Sequence, residues 1–100
     1  MDKRVAHHDL EQVQERVAAL GAAAFTKTAL DGGRQMGLTS REMLGVIATL
    51  SRRNFYKSMT SYNDHTVWQD VDHAPVPNGR TAYIKVILLP AGPVIQFKEK

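Results

Sequence analysis

No cysteine occurs among the 100 residues, so disulfide frameworks and thiolate zinc sites are excluded, which fits a reducing compartment. No apolar run approaches the roughly 20 residues of a membrane span, and M-D-K-R-V-A-H-H has no apolar signal core. These absences predict a soluble cytoplasmic protein with no membrane partner. Charge is also modest: thirteen Lys and Arg against ten Asp and Glu leave a formal +3. That suits a polyanionic ligand but falls short of a densely basic nucleic-acid arm. No G-x-S-x-G elbow, Walker loop, G-x-G-x-x-G fingerprint, H-E-x-x-H or calcium-loop pattern is present, so no cofactor and no metal is expected. Internal repeats and low-complexity tracts are missing too.

What is present is enough apolar material, 43% of residues, for one modest core in one domain spanning 1–100. The first half reads as helices. Asp9 with Gln12 three positions on can cap a helix whose apolar face is Leu10, Val13, Val17 and Leu20, with Gly21 as a left-handed stop. Thr26 to Met36 is either a short helix or an irregular connection, because Asp31-Gly32-Gly33 interrupts the period and each glycine costs about 1 kcal/mol against alanine. Thr39 and Glu42 then make a T-x-x-E capping box, with Leu38 and Met43 placed as a hydrophobic staple. Met43, Leu44, Val46, Ile47 and Leu50 supply that helix's buried face.

After Ser51-Arg52-Arg53-Asn54 the period changes to two. Four runs, Phe55 to Tyr62, Thr66 to Asp72, Arg80 to Leu89 and Val94 to Glu99, alternate β-branched or aromatic with polar residues. Asn63-Asp64-His65 and Pro90-Ala91-Gly92-Pro93 read as hairpin turns, and His73 to Gly79 as a longer loop. The predicted fold is α+β, with N-terminal helices packed on one face of a C-terminal antiparallel sheet.

Alternation sorts the strands into two faces. Tyr56, Trp68, Ala82, Ile84, Val86, Leu88, Ile95 and Phe97 form the better candidate for the helix-covered side. Lys57 with Phe55 and Met59, Gln69 with Val67 and Val71, Tyr83 with Thr81 and Lys85, and Lys98 with Val94 and Gln96 then share the open side. Periodicity by itself leaves these as ordinary solvent-facing strand residues. His65, in a turn beside Asp64, is either an acid-base candidate or a turn cap. Asp70, Asp72 and His73 make a poor metal set, and carboxylates near a strand end are usually solvated. Arg52-Arg53 reads as a solvated helix end complementing the dipole, with contact to the phosphates of a polyanionic ligand as the alternative. Met36, Met43 and Trp68 read as core.

The stretch N-F-Y-K-S-M-T-S-Y-N-D-H-T-V-W-Q-D-V, Asn54 to Val71, closely resembles the same region of the motility quorum-sensing regulator (MqsR) toxins, a family of mRNA interferases. The likeness resumes at A-Y-I-K-V and at the terminal V-I-Q-F-K-E-K, and M-D-K-R followed by His7 fits the family's start. Nearly the whole chain aligns in order, with departures in the helical half and in D-V-D-H-A-P-V-P-N-G.

The resemblance implies a RelE-like toxin domain of a type II toxin–antitoxin system, cleaving single-stranded mRNA at GCU-like triplets without the ribosome and without metal. It implies product ends of the 2′,3′-cyclic phosphate or 3′-phosphate kind. The implied partner is an MqsA-like antitoxin with a zinc-binding N-terminal domain and a helix-turn-helix C-terminal domain, so any zinc belongs to the partner. Lys57, Gln69 and Tyr83 match positions implicated in cleavage, and Lys98 is a fourth. Met59, His65 and His7 are candidates for accessory or RNA contacts. The chemistry suits the task. Lys57 can clamp phosphate or act as base, Gln69 can hold a nonbridging oxygen or a base edge, and Tyr83 can donate a proton or stack on a base. The alternatives are an inactive homologue that survives as an antitoxin-binding regulator, and ribosome-dependent cleavage as in other RelE-like toxins.

Overall fold

The computed structural model describes residues 1–100. Three helices, α1 (Leu10–Leu20), α2 (Lys27–Gln35) and α3 (Ser40–Ala48), precede strands β2 (Phe55–Thr60), β3 (Trp68–Pro75), β4 (Thr81–Leu89) and β5 (Gly92–Glu99), while β1 (Asp2–Lys3) comes before the helices. The sheet is antiparallel throughout, in the order β1-β2-β3-β4-β5. This is the expected α+β arrangement. The two-residue β1 was not anticipated, being too short to carry any period.

Local signals fix the helix ends. The Asp9 side chain accepts from the Gln12 amide, and Gly21, at φ 66°, closes α1. A side chain at that φ would be strained, which is why a glycine stops the helix there. Thr39 and Glu42 form the reciprocal capping box of α3. The undecided segment is helical: Thr26 caps α2 by accepting from the Ala29 amide. Its two glycines serve a close approach. A Cβ on Gly32 would collide with the Phe97 carbonyl, and one on Gly33 with the Met43 side chain. The helix cost of glycine is thus offset by bringing α2 against β5 and α3.

The segment leading into α2 also protects the sheet edge. The Thr26 amide donates to the Ile95 carbonyl and Phe25 bridges Ile95 in parallel fashion, which occupies part of the exposed β5 ladder. Pro93, expected in the turn, lies within β5 opposite Leu88, a tolerable place for proline on an edge strand. β3 likewise runs on through His73 and Ala74 to Pro75, so only the end of the expected loop is a loop.

Ala82, Ile84, Val86, Ile95 and Phe97 from the sheet join Val13, Val17, Met36, Met43, Val46 and Ile47 from the helical half in one buried core. Burial of this apolar set is the main stabilising term. The opposite sheet face has no helix over it. No helix is long and apolar enough to cross a membrane.

Candidate active site

Strand register decides which side chains meet on the open face. Residues directly opposite in an antiparallel pair share a face. Lys57 is paired with Val71 and Met59 with Gln69 across β2 and β3, while Val71 is paired with Lys85 across β3 and β4. Val71 is fully buried although it stands outside the helix-side core, with Lys57 and Lys85 as its cross-strand neighbours. Tyr83 is paired with His73 on one side and Lys98 on the other. The structure therefore brings Lys57, Met59, Gln69, Tyr83 and Lys98 to one face.

They do not form a tight triad. Lys57 and Gln69 are diagonal neighbours. Tyr83 stands two strands and two residues from Lys57, on the order of 12 Å between backbones, and about 14 Å from Gln69. The set is a track across the sheet rather than a pocket.

The Lys57 ammonium has a partner from the N-terminal strand. β1 pairs with β2 so that Asp2 opposes Met59, and its carboxylate reaches the Lys57 Nζ at 3.3 Å. The Lys57 side chain is 24% exposed and that of Asp2 58%, so this pair is open enough for a phosphate to compete.

Tyr56 corrects the expected face assignment. The register slips between Phe55 and Lys57, and a bulge sends the extra residue off the regular alternation. Phe55 consequently opposes Asp72 on the helix side, while Tyr56, 43% exposed, lies on the open face against His73, with ring centroids 4.4 Å apart and planes at 22°. His73 in turn lies 5.5 Å from the Tyr83 ring. Cations flank this row: Lys57 Nζ is 5.6 Å and Arg4 Cζ 5.7 Å from the Tyr56 ring centre, and Lys98 Nζ is 5.3 Å from that of Tyr83. Burial and the Lys100 ammonium push the His73 pKa below the ordinary histidine value.

Tyr56, His73 and Asp2 were not found by sequence reasoning. Extending the alternation from Gln69 through Val71 would have reached His73; nothing in the sequence marks the bulge at Tyr56. Beyond Tyr83, a cavity of about 190 Å³ is lined by Tyr83, Lys85, Gln96 and Lys98 together with Thr28 from α2. At the β5 edge of the sheet α2 thus touches the border of this face through Thr28 alone.

Other candidates fall elsewhere. His65 is exposed in the β2–β3 turn and borders a depression with Met1, Asp2 and Met59, at the far end of the track from Tyr83. Its neighbour Asp64 accepts from the Thr66 amide and hydroxyl, which holds that carboxyl below its usual range. His7 stacks on Trp68 at 5.6 Å. Because Trp68 shares the face of Asp70, paired to Val86 of the core, His7 lies on the helix side, away from Lys57.

Trp68 itself is half-buried and outside the core. Lys3 Nζ sits 4.0 Å over its ring. Asp70 and Asp72 are buried, at 4% and 5% exposure, not solvated as expected at a strand end. Asp70 accepts from the His7 and His8 amides, so it anchors the N-terminal segment. Asp72 is pushed up to about 6 by burial and by Asp70, opposed by Arg52. Both carboxylates face the helices and His73 faces the other way, so the three do not converge. Arg52 donates to the His8 carbonyl and serves the same N-terminal segment.

The whole chain has known relatives. The family model described as "Motility quorum-sensing regulator, toxin of MqsA" matches residues 5–99. The mRNA interferase toxin MqsR of Escherichia coli (strain K12) is 41% identical over 100 residues, covering 100% of both chains.

Proposed function

The chain belongs to the family of the motility quorum-sensing regulator, toxin of MqsA, and we propose that it is a ribosome-independent mRNA interferase, cutting single-stranded RNA across the open face of its sheet. The observation that carries this reading is the placement of Lys57, Gln69, Tyr83 and Lys98 on one helix-free face. No carboxylate cluster accompanies them there; Asp2, paired to Lys57, is the single acid described on the track.

The chemistry assigned to the track is transesterification by the substrate's own 2′-hydroxyl. Lys57 supplies the phosphate clamp, because its partner in the free protein is a carboxylate, which a phosphate can replace. Gln69, diagonal to Lys57, offers amide donors to a nonbridging oxygen. As the 2′-oxygen bonds to phosphorus its proton passes to solvent water, Tyr83 donates a proton to the departing 5′-oxygen and regains one from solvent, and Lys98 beside its ring adds positive charge where negative charge develops. Separation of about 12 Å between Lys57 and Tyr83 backbones means that the reacting phosphate sits above the sheet, reached by long side chains from both sides.

The biological setting follows from the family: an antitoxin of the MqsA kind as partner and RNA as substrate. We further propose that the antitoxin carries the zinc-binding and helix-turn-helix domains, that cleavage favours GCU-like triplets, and that the protein acts in the cytoplasm. Ribosome-free cleavage of a defined RNA by the purified chain tests the reading, with Lys57→Met as the control that keeps the aliphatic stem opposite Val71 and removes the charge.

A further inference from the structure

The track contains two side chains to which the cleavage chemistry gives no task. Tyr56 is an aromatic residue 43% exposed on a polar face, and His73, paired with Tyr83 in the register, lies beneath it at 4.4 Å. Neither ring nitrogen of His73 has a hydrogen-bond partner, and its Nε2 is buried. A histidine placed for fold stability normally satisfies that atom, since an unpaired buried polar group is costly. Burial and Lys100 also lower the ring's pKa below the ordinary histidine value, which favours the uncharged ring, a flat plate rather than a phosphate ligand. Cations stand on the Tyr56 side, Arg4 at 5.7 Å and Lys57 at 5.6 Å.

Alternation of flat rings with backbone-neutralising cations is the arrangement by which proteins hold single-stranded nucleic acid: bases stack on the rings and phosphates follow the charges. From this juxtaposition, and resting on the mRNA interferase reading above, we propose that Tyr56 and His73 form a nucleobase-stacking subsite between Lys57 and Tyr83. It takes one unpaired base of the RNA next to the scissile phosphate. Tyr56 is the stacking surface, and His73 is a positioning residue that supports its plane. Arg4 neutralises a phosphate of the same strand.

The test uses the full-length chain and an RNA whose cleavage site has first been mapped with the wild type, then blocked by 2′-deoxy substitution at the scissile nucleotide. Each flanking base is replaced in turn by an abasic nucleotide and binding is measured. One position is expected to weaken wild-type binding by about five- to hundredfold, the range of one base–aromatic stack. Tyr56→Ala should lose the same factor on the intact RNA and become insensitive to the abasic change at that position. Tyr56→Phe should restore both, whereas Tyr56→Leu, of similar bulk but not aromatic, should not. His73→Ala should reduce the abasic penalty without abolishing it.

Equal abasic penalties in wild type and in both the Ala and Leu variants would overturn the subsite while leaving the interferase reading intact. A wild type that neither cleaves nor binds naked RNA would overturn the underlying reading, and the subsite with it.

Discussion

The carboxylate of Asp2 lies 3.3 Å from the ammonium of Lys57, a pairing across 55 residues of sequence that exists because β1 adds itself to the edge of β2. The residue expected to hold the scissile phosphate is therefore occupied, in the free protein, by an acid that RNA must displace. Removing that competitor should help binding. Asp2→Asn is expected to tighten binding of a 2′-deoxy-blocked RNA by two- to fivefold and to alter thermal stability little, since exposed ion pairs contribute about 0–1 kcal/mol. A titration of labelled RNA at fixed salt reads the first effect, and a melting curve the second.

Charge and stem of Lys57 can be separated. Because Lys57 stands directly opposite fully buried Val71, Lys57→Ala removes aliphatic bulk there as well as charge, whereas Lys57→Met keeps the bulk. Single-turnover cleavage should fall at least about a hundredfold in Lys57→Met with the melting temperature held within a few degrees. Lys57→Arg keeps the charge but cannot lose a proton near neutral pH; as a clamp it should retain most activity with an unchanged pH profile. Loss of chemistry in Lys57→Arg with binding intact would make Lys57 a base.

Asp72 gives the fold a pH dependence. Its carboxyl is raised to about 6 by burial and by Asp70, above the ordinary value near 3.9. A raised carboxyl favours the protonated form in the folded state, so its contribution is complete below pH 4 and is lost as pH climbs through about 6. The difference amounts to about 3 kcal/mol at most. Asp72→Asn should be more stable than wild type at pH 8, with the advantage vanishing at pH 4, as read by urea unfolding at both values. An advantage that does not depend on pH would remove Asp72 as the cause.

The two glycines of α2 should respond unequally to alanine. Helix propensity favours Ala by about 1 kcal/mol at either position. At Gly32 the new Cβ meets the Phe97 backbone, which can yield only by shifting β5, whereas at Gly33 it meets the flexible Met43 side chain. Overpacking of this kind costs roughly 1–3 kcal/mol. Gly32→Ala should therefore destabilise more than Gly33→Ala. The reverse order in denaturant titrations would mean that α2 does not rest on β5 as described.

Much of this architecture was legible because its signals are local. The Asp9 and Thr39 caps, the period of α1 and α3, and the alternation of β4 and β5 each lie within a few residues. What was not legible depends on partners distant in sequence. The helicity of Lys27–Gln35 depends on glycines that make sense only against Phe97 and Met43. β1 is a strand only because β2 is beside it. The bulge that turns Tyr56 to the open face has no mark in the alternation, so Tyr56 and Phe55 were assigned to exchanged faces. His73 was hidden by Pro75 and Pro77, which suggested that the strand had ended. Trp68, assigned to the core by its aromatic bulk, instead supports Lys3 and His7. Trp68→Ala should accordingly destabilise less than Phe97→Ala, for which about 3–5 kcal/mol is expected.

Cleavage of RNA by this chain alone, through groups on the open face and the substrate's own 2′-hydroxyl, is open to direct test. The most direct measurement incubates the purified protein with a defined RNA, free of ribosomes and in excess chelator, and maps both new ends chemically. Cleavage is expected at fixed sites, leaving a 2′,3′-cyclic phosphate or 3′-phosphate and a 5′-hydroxyl, and slowed at least about a hundredfold in Lys57→Met. Cleavage that appears only with ribosomes, or only with divalent metal and leaving 5′-phosphates, would contradict this expectation.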